Sequence, residues 1–113
     1  MSFLSKLFGT SASSDHIKEL GIEDFKAGIA NKGTQLIDVR TASEFKSGAI
    51  ANAKNINFFN RAAMEIAFKK LDPSKAVYLY CRSGNRSGKA AKLLVSLGFN
   101  EVYDLRGGYA SWR

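Results

Sequence analysis

Short apolar runs alternate with longer amphipathic stretches along this chain, and that alternation constrains the fold more than any other feature. Leu36-Ile37-Asp38-Val39, Ala76-Val77-Tyr78-Leu79-Tyr80 and Val102-Tyr103 are rich in β-branched and aromatic residues, and each follows a polar or turn-like stretch. They read as short buried strands. Residues 17–20 and 54–56 carry the same signal more weakly. Between them lie helical patterns. Residues 23–30 place Phe25 and Ile29 four apart. Residues 61–71 put Met64, Phe68 and Leu71 on one face and stop at Asp72-Pro73. Residues 87–97 put Ala90, Leu93, Leu94 and Leu97 on one face and end at Gly98, a natural C′ residue. Strands alternating with helices imply an α/β fold, a small, mostly parallel sheet flanked by helices on both faces.

A chain of 113 residues suits one domain, and an apolar fraction of 45%, with eight Phe, supplies a core. We expect a flexible lead-in over 1–14 and the domain over 15–113. Phe3, Leu4, Leu7 and Phe8 form a short apolar patch, but no basic region precedes them and no small-residue cleavage site follows. That is not the pattern of a signal peptide. No window reaches 18 consecutive apolar residues, so we expect no membrane span. A cytoplasmic protein acting as a monomer is the expectation. His16 stands alone and is not nominated as a general base.

The chain has one cysteine, Cys81, which excludes an internal disulfide and a Cys-rich metal site. A lone cysteine is by default a small buried hydrophobe. The surroundings of Cys81 argue against that default. It directly follows the most apolar strand, and α/β sheets bind ligands beyond the carboxyl ends of their strands. The segment after it, Arg82-Ser83-Gly84-Asn85-Arg86-Ser87, is small, polar and basic, and it runs into a helix. A short loop wound around one point aims successive backbone N–H groups inward, and the helix N-terminus adds partial positive charge. With Arg82 and Arg86 nearby, these effects favour thiolate over thiol. The net charge of +7 is concentrated here, with eight basic residues and two acids between Arg61 and Lys92. Such a field attracts small anions. There is no basic run or reading motif to suggest nucleic acid.

Three blocks resemble the rhodanese family. Leu36-Ile37-Asp38-Val39-Arg40-Thr41, with Glu44-Phe45 and Gly48-Ala49-Ile50, is similar to the family's opening signature. Cys81-Arg82-Ser83-Gly84-Asn85-Arg86 is similar to its active-site loop, and Leu105-Arg106-Gly107-Gly108-Tyr109-Ala110-Ser111-Trp112 to its closing Gly-Gly and Trp. The blocks stand in family order over roughly residues 17–112. Two departures are local: Ala49 replaces a usual His, and Ala51-Asn52 a usual Pro-Gly.

The resemblance implies a thiosulfate sulfurtransferase. Cys81 would be the catalytic residue, and Arg82, Ser83, Gly84, Asn85, Arg86 and Ser87 would bind substrate. Asp38 and Arg40 would pair inside the fold, and Glu44 would join them or start a helix. Gly107 and Gly108 would allow a tight turn near the loop, and Trp112 would anchor the core. The partners implied are a small anionic sulfur donor and a thiol or cyanide acceptor, with no metal or cofactor.

Two other readings compete. Phosphatase and arsenate-reductase relatives use five residues between Cys and Arg, whereas four separate Cys81 from Arg86, a ring better sized to sulfur than to phosphate. A sulfur-relay or docking module would instead take persulfide from a protein partner.

Overall fold

The structure, a computed structural model, describes residues 15–112. Along the chain, β1 (Ile17–Leu20) leads into α1 (Ile22–Ile29), β2 (Gln35–Asp38) into α2 (Ala42–Lys46), and β3 (Lys54–Asn55) into α3 (Arg61–Lys69). Then β4 (Val77–Tyr80) leads into α4 (Asn85–Ser96), and β5 (Val102–Leu105) into α5 (Gly108–Trp112). The five strands form one sheet in the order β1-β5-β4-β2-β3, and every neighbouring pair is parallel. The expected α/β class holds, and the sheet is parallel throughout. The proposed lead-in over 1–14, with its apolar patch, lies outside the described residues.

The pleat of β4 sorts the core into two layers. Val77 and Leu79, with Cys81 just beyond them, cluster with Met64 and Phe68 of α3 and Ala90, Ala91 and Leu94 of α4. Tyr78 and Tyr80 point the other way, into a cluster with Phe25 of α1 and Tyr109 and Trp112 of α5. A period of two along a strand buried on both faces produces this division. All four β4 residues are buried, and each large side chain so buried contributes roughly 1.5–3 kcal/mol. Cys81 emerges from the best-packed strand, so its backbone has little freedom.

Several boundaries differ from the sequence expectation. β5 extends through Asp104 to Leu105, two residues beyond the apolar pair, because Asp104 is itself buried and hydrogen-bonded to Ser87. The helix after the cysteine begins at Asn85, earlier than position 87, so Arg86 and Ser87 belong to its first turn. The helix at 61 ends at Lys69, and Leu71 packs against the core from the following turn. The five-residue helices α2 and α5 are too short to show an amphipathic repeat, and of the two roles expected for Glu44 the helix start holds, since it lies in the first turn of α2. Gly98 follows the last helical turn of α4 with φ of 102°, as a C′ glycine should. In the Ala51-Asn52 turn, Asn52 adopts φ of 72°; asparagine tolerates this left-handed conformation better than most residues.

Candidate active site

The loop from Cys81 to Ser87 closes around the sulfur. Cys81 is 1% exposed. The Gly84 N–H lies 3.0 Å from Sγ, and the thiol lies 3.4 Å from the Ser87 hydroxyl oxygen. Gly84 is the N-cap of α4 with φ of 107°, a conformation that residues with a Cβ rarely adopt. Its freedom lets the chain reverse within the loop and point its amide at the sulfur while its carbonyl starts the helix, accepting from the Gly88 N–H at 3.2 Å. A donor amide and a helix N-terminus thus meet at one buried sulfur.

Helix α5 supports the loop from behind. The Tyr109 N–H donates to the Cys81 carbonyl at 2.8 Å, and the Ala110 N–H to the Arg82 carbonyl at 3.0 Å. Gly107 and Gly108, with φ of 78° and 64°, make the turn that delivers these amides. Gly108 passes so close that a Cβ there would sit 2.5 Å from the Arg82 carbonyl.

The two arginines of the loop differ. Arg86 makes a two-pronged contact with Glu44, its Nη1 2.9 Å from Oε1 and its Nη2 3.1 Å from Oε2. Glu44 occupies position N3 of α2 in a reciprocal capping box with Thr41, so this carboxylate is held from both sides. The Arg86 hydrogen bond, opposed by burial and helped by the Thr41 amide, lowers the Glu44 carboxyl to about 2. Arg86 is raised above its ordinary value, chiefly by the same bond. Its guanidinium also lies 5.3 Å over the ring of Phe59. Arg82 is exposed and makes no ion pair among the described residues.

Arg82 lines a cleft of about 600 Å³ with Arg40, Ser43, Glu44, Gly48 and Tyr109. Cys81 is not among the lining residues; the cleft borders its loop. Arg40 is anchored on buried Asp38 at 2.6 Å, donates to the Gly48 carbonyl at 2.7 Å, and lies 4.4 Å over the Tyr109 ring. The Asp38–Arg40 pair therefore braces the cleft floor. Ser83 and Asn85 are exposed on the loop. Trp112 packs edge-on against Phe25, with a 6.2 Å centroid separation, and helps line a different cavity, over α1.

Sequence reasoning passed over Asp104. It is 4% exposed and its Oδ1 accepts a 2.6 Å hydrogen bond from Ser87. An acid between Tyr103 and Leu105 in an otherwise apolar segment was the available signal. Among the described residues, no cluster of His, Cys, Asp and Glu has the arrangement needed to hold a metal, and no helix is long and apolar enough to cross a membrane.

Known proteins share this architecture. The family model of the rhodanese-like domain matches residues 22–113. The uncharacterized protein YqhL of Bacillus subtilis (strain 168) is 40% identical over 96 residues, which cover 85% of this chain and 72% of that one. The thiosulfate sulfurtransferase GlpE of Shewanella oneidensis is 30% identical over 95 residues, covering 84% of this chain and 91% of the relative. The crystal structure of a rhodanese-related protein from Thermoplasma volcanium superposes with a TM-score of 0.72 at 33% identity, covering 84% of this chain and 89% of that one.

Proposed function

Because this chain belongs to the rhodanese-like domain family, we propose that it is a sulfurtransferase that carries sulfane sulfur as a persulfide on Cys81. Thiosulfate or a similar small anion is the donor, and a thiol or cyanide the acceptor. The observation that carries this reading is the buried Cys81 sulfur with the Gly84 N–H at 3.0 Å and the start of α4 directly behind it.

The chemistry follows from the residues. The Cys81 thiolate attacks the outer sulfur of thiosulfate, the bond between the two donor sulfurs breaks, and sulfite leaves with its electron pair. The enzyme then carries Cys81–S–S⁻, so charge is conserved across the step. The Gly84 N–H, 3.0 Å from Sγ, supports a cradle of loop amides from Arg82 to Arg86 that stabilises that anion, as pre-aimed donors do in an oxyanion hole. An acceptor thiolate or cyanide removes the outer sulfur, giving ping-pong kinetics. Arg82, exposed on the cleft, draws the donor in; Arg86, held by Glu44, fixes the first turn of α4.

A protein donor is the second reading. Phe59 is 67% exposed and lies beneath Arg86 at the rim of the loop, an apolar contact that a small anion does not use.

Mass spectrometry after thiosulfate treatment tests the proposal. One added sulfur on the peptide containing Cys81 is expected, with none in Cys81→Ser. Full turnover by the serine variant would exclude a persulfide on this residue. Turnover with millimolar thiosulfate, compared with sulfur acceptance from a cysteine desulfurase, separates the two donors.

A further inference from the structure

Ser87 stands between two groups that both bind protons. Its hydroxyl donates to Asp104 Oδ1 at 2.6 Å, and its oxygen faces Cys81 Sγ at 3.4 Å. All three residues are buried. A serine hydroxyl has one proton to donate. The other acceptor in reach is the Gly84 carbonyl, at 3.3 Å. While the sulfur is a thiol, this arrangement is satisfied: S–H donates to Ser87, and Ser87 donates to the carboxylate. A thiolate or persulfide anion has nothing to donate and needs the Ser87 proton itself. The hydroxyl cannot serve two anions at once, and two negative charges this close in a buried site oppose each other.

Resting on the sulfur-carrier role of Cys81, we propose that Asp104 governs the sulfur anion through the single Ser87 proton. As a carboxylate it keeps the hydroxyl turned from the sulfur; as an acid it donates to Ser87 and frees the hydroxyl to donate to the anion on Cys81. The step balances without a co-reactant. The thiol proton passes to the Ser87 oxygen as the Ser87 proton passes to Asp104, so Cys81–SH and carboxylate become Cys81–S⁻ and carboxylic acid.

The neighbours of Asp104 suit this exchange. Glu19 stands in register with it on β1, and Lys92 of α4 lines the same cavity of about 310 Å³. Arg106 lies beyond, 3.5 Å from Glu19. Burial, opposed by the Ser87 hydrogen bond and aided by Glu19, pushes the Asp104 carboxyl up to about 6. The cavity shares no lining residue with the Arg82 cleft, so Asp104 meets solvent by a route separate from the substrate's.

Two measurements test the coupling. The first is the iodoacetamide alkylation rate of Cys81 at pH 7, which needs no sulfur donor. Asp104→Asn should alkylate about tenfold faster than the native chain, the size of one unit of coupling, and the same substitution in a Ser87→Ala background should change the rate less. Equal or slower alkylation in a folded Asp104→Asn variant overturns the proposal, as does an equal acceleration in Ser87→Ala alone, which a loosened tether between α4 and β5 would produce by exposing the buried sulfur. The second follows the Asp104 carboxyl carbon by NMR in the native chain, against pH. Persulfide loading, verified by mass, should raise the Asp104 midpoint by about one unit relative to Cys81 capped as a neutral methyl disulfide. An unmoved midpoint in loaded protein also overturns it. Failure to gain sulfur would instead count against the persulfide reading, and the alkylation arm would still decide the coupling.

Discussion

Replacing Gly108 with alanine should damage the site more than its distance from the sulfur suggests. The new Cβ would lie 2.5 Å from both the carbonyl carbon and the oxygen of Arg82, and 2.7 Å from the Cys81 oxygen. These are backbone atoms of the loop, so no side-chain rotation relieves the contact. Either α5 retreats, breaking the 2.8 Å Tyr109–Cys81 and 3.0 Å Ala110–Arg82 hydrogen bonds, or the loop shifts and carries the Gly84 amide off the sulfur. The left-handed backbone at φ of 64° costs a residue with a Cβ roughly 1–2 kcal/mol. Each lost hydrogen bond adds roughly 1 kcal/mol, for a total of about 3–4 kcal/mol. Gly33→Ala is the control: its φ is 89°, but nothing lies within 4 Å of the added Cβ, so it bears the conformational cost alone. Urea unfolding of the two variants, with thiosulfate–cyanide turnover, separates the contributions. Gly108→Ala should be the less stable by about 2 kcal/mol and should lose most of its activity. Stabilities matching within about 0.5 kcal/mol, with turnover unchanged, would refute the idea that α5 positions the loop.

Kinetics should separate the two loop arginines. Arg82→Ala should raise KM for thiosulfate severalfold with kcat little changed, whereas Arg86→Ala should chiefly lower kcat, an effect that Glu44→Gln should reproduce. Matching KM effects from both arginines would mean that Arg86 also recruits donor. Asp104 should cost stability in a pH-dependent way, because its folded-state value of about 6 lies above the ordinary 3.8. Asp104→Asn should therefore gain up to about 3 kcal/mol above pH 6, with the gain shrinking to nothing as the pH falls toward 4. Denaturant unfolding across that range checks the sign; a gain independent of pH would contradict it.

Much of this protein is legible in its sequence. The alternation of strand and helix, the parallel sheet and the place of Cys81 at the end of the most apolar strand are all local patterns, encoded in the spacing of near neighbours. The loop was legible for the same reason, since Cys81 to Ser87 are contiguous and their backbone supplies the donor. Other features required tertiary structure. Glu44 and Arg86 are 42 residues apart, and only the adjacency of β2 and β4 brings the loops that follow them together. Asp104 looked like the end of a strand because a polar residue interrupts an apolar run. Inside the fold it has Ser87 as a partner, and with its hydrogen bond satisfied a buried acid can sit in a strand. The role of Gly108 depends on how close α5 comes to a loop 26 residues earlier. Sequence spacing determines which face of an element is apolar, and so it determined the layers and the loop here. Which distant groups meet across those layers depends on strand order and helix approach, and that decided how the sulfur is surrounded.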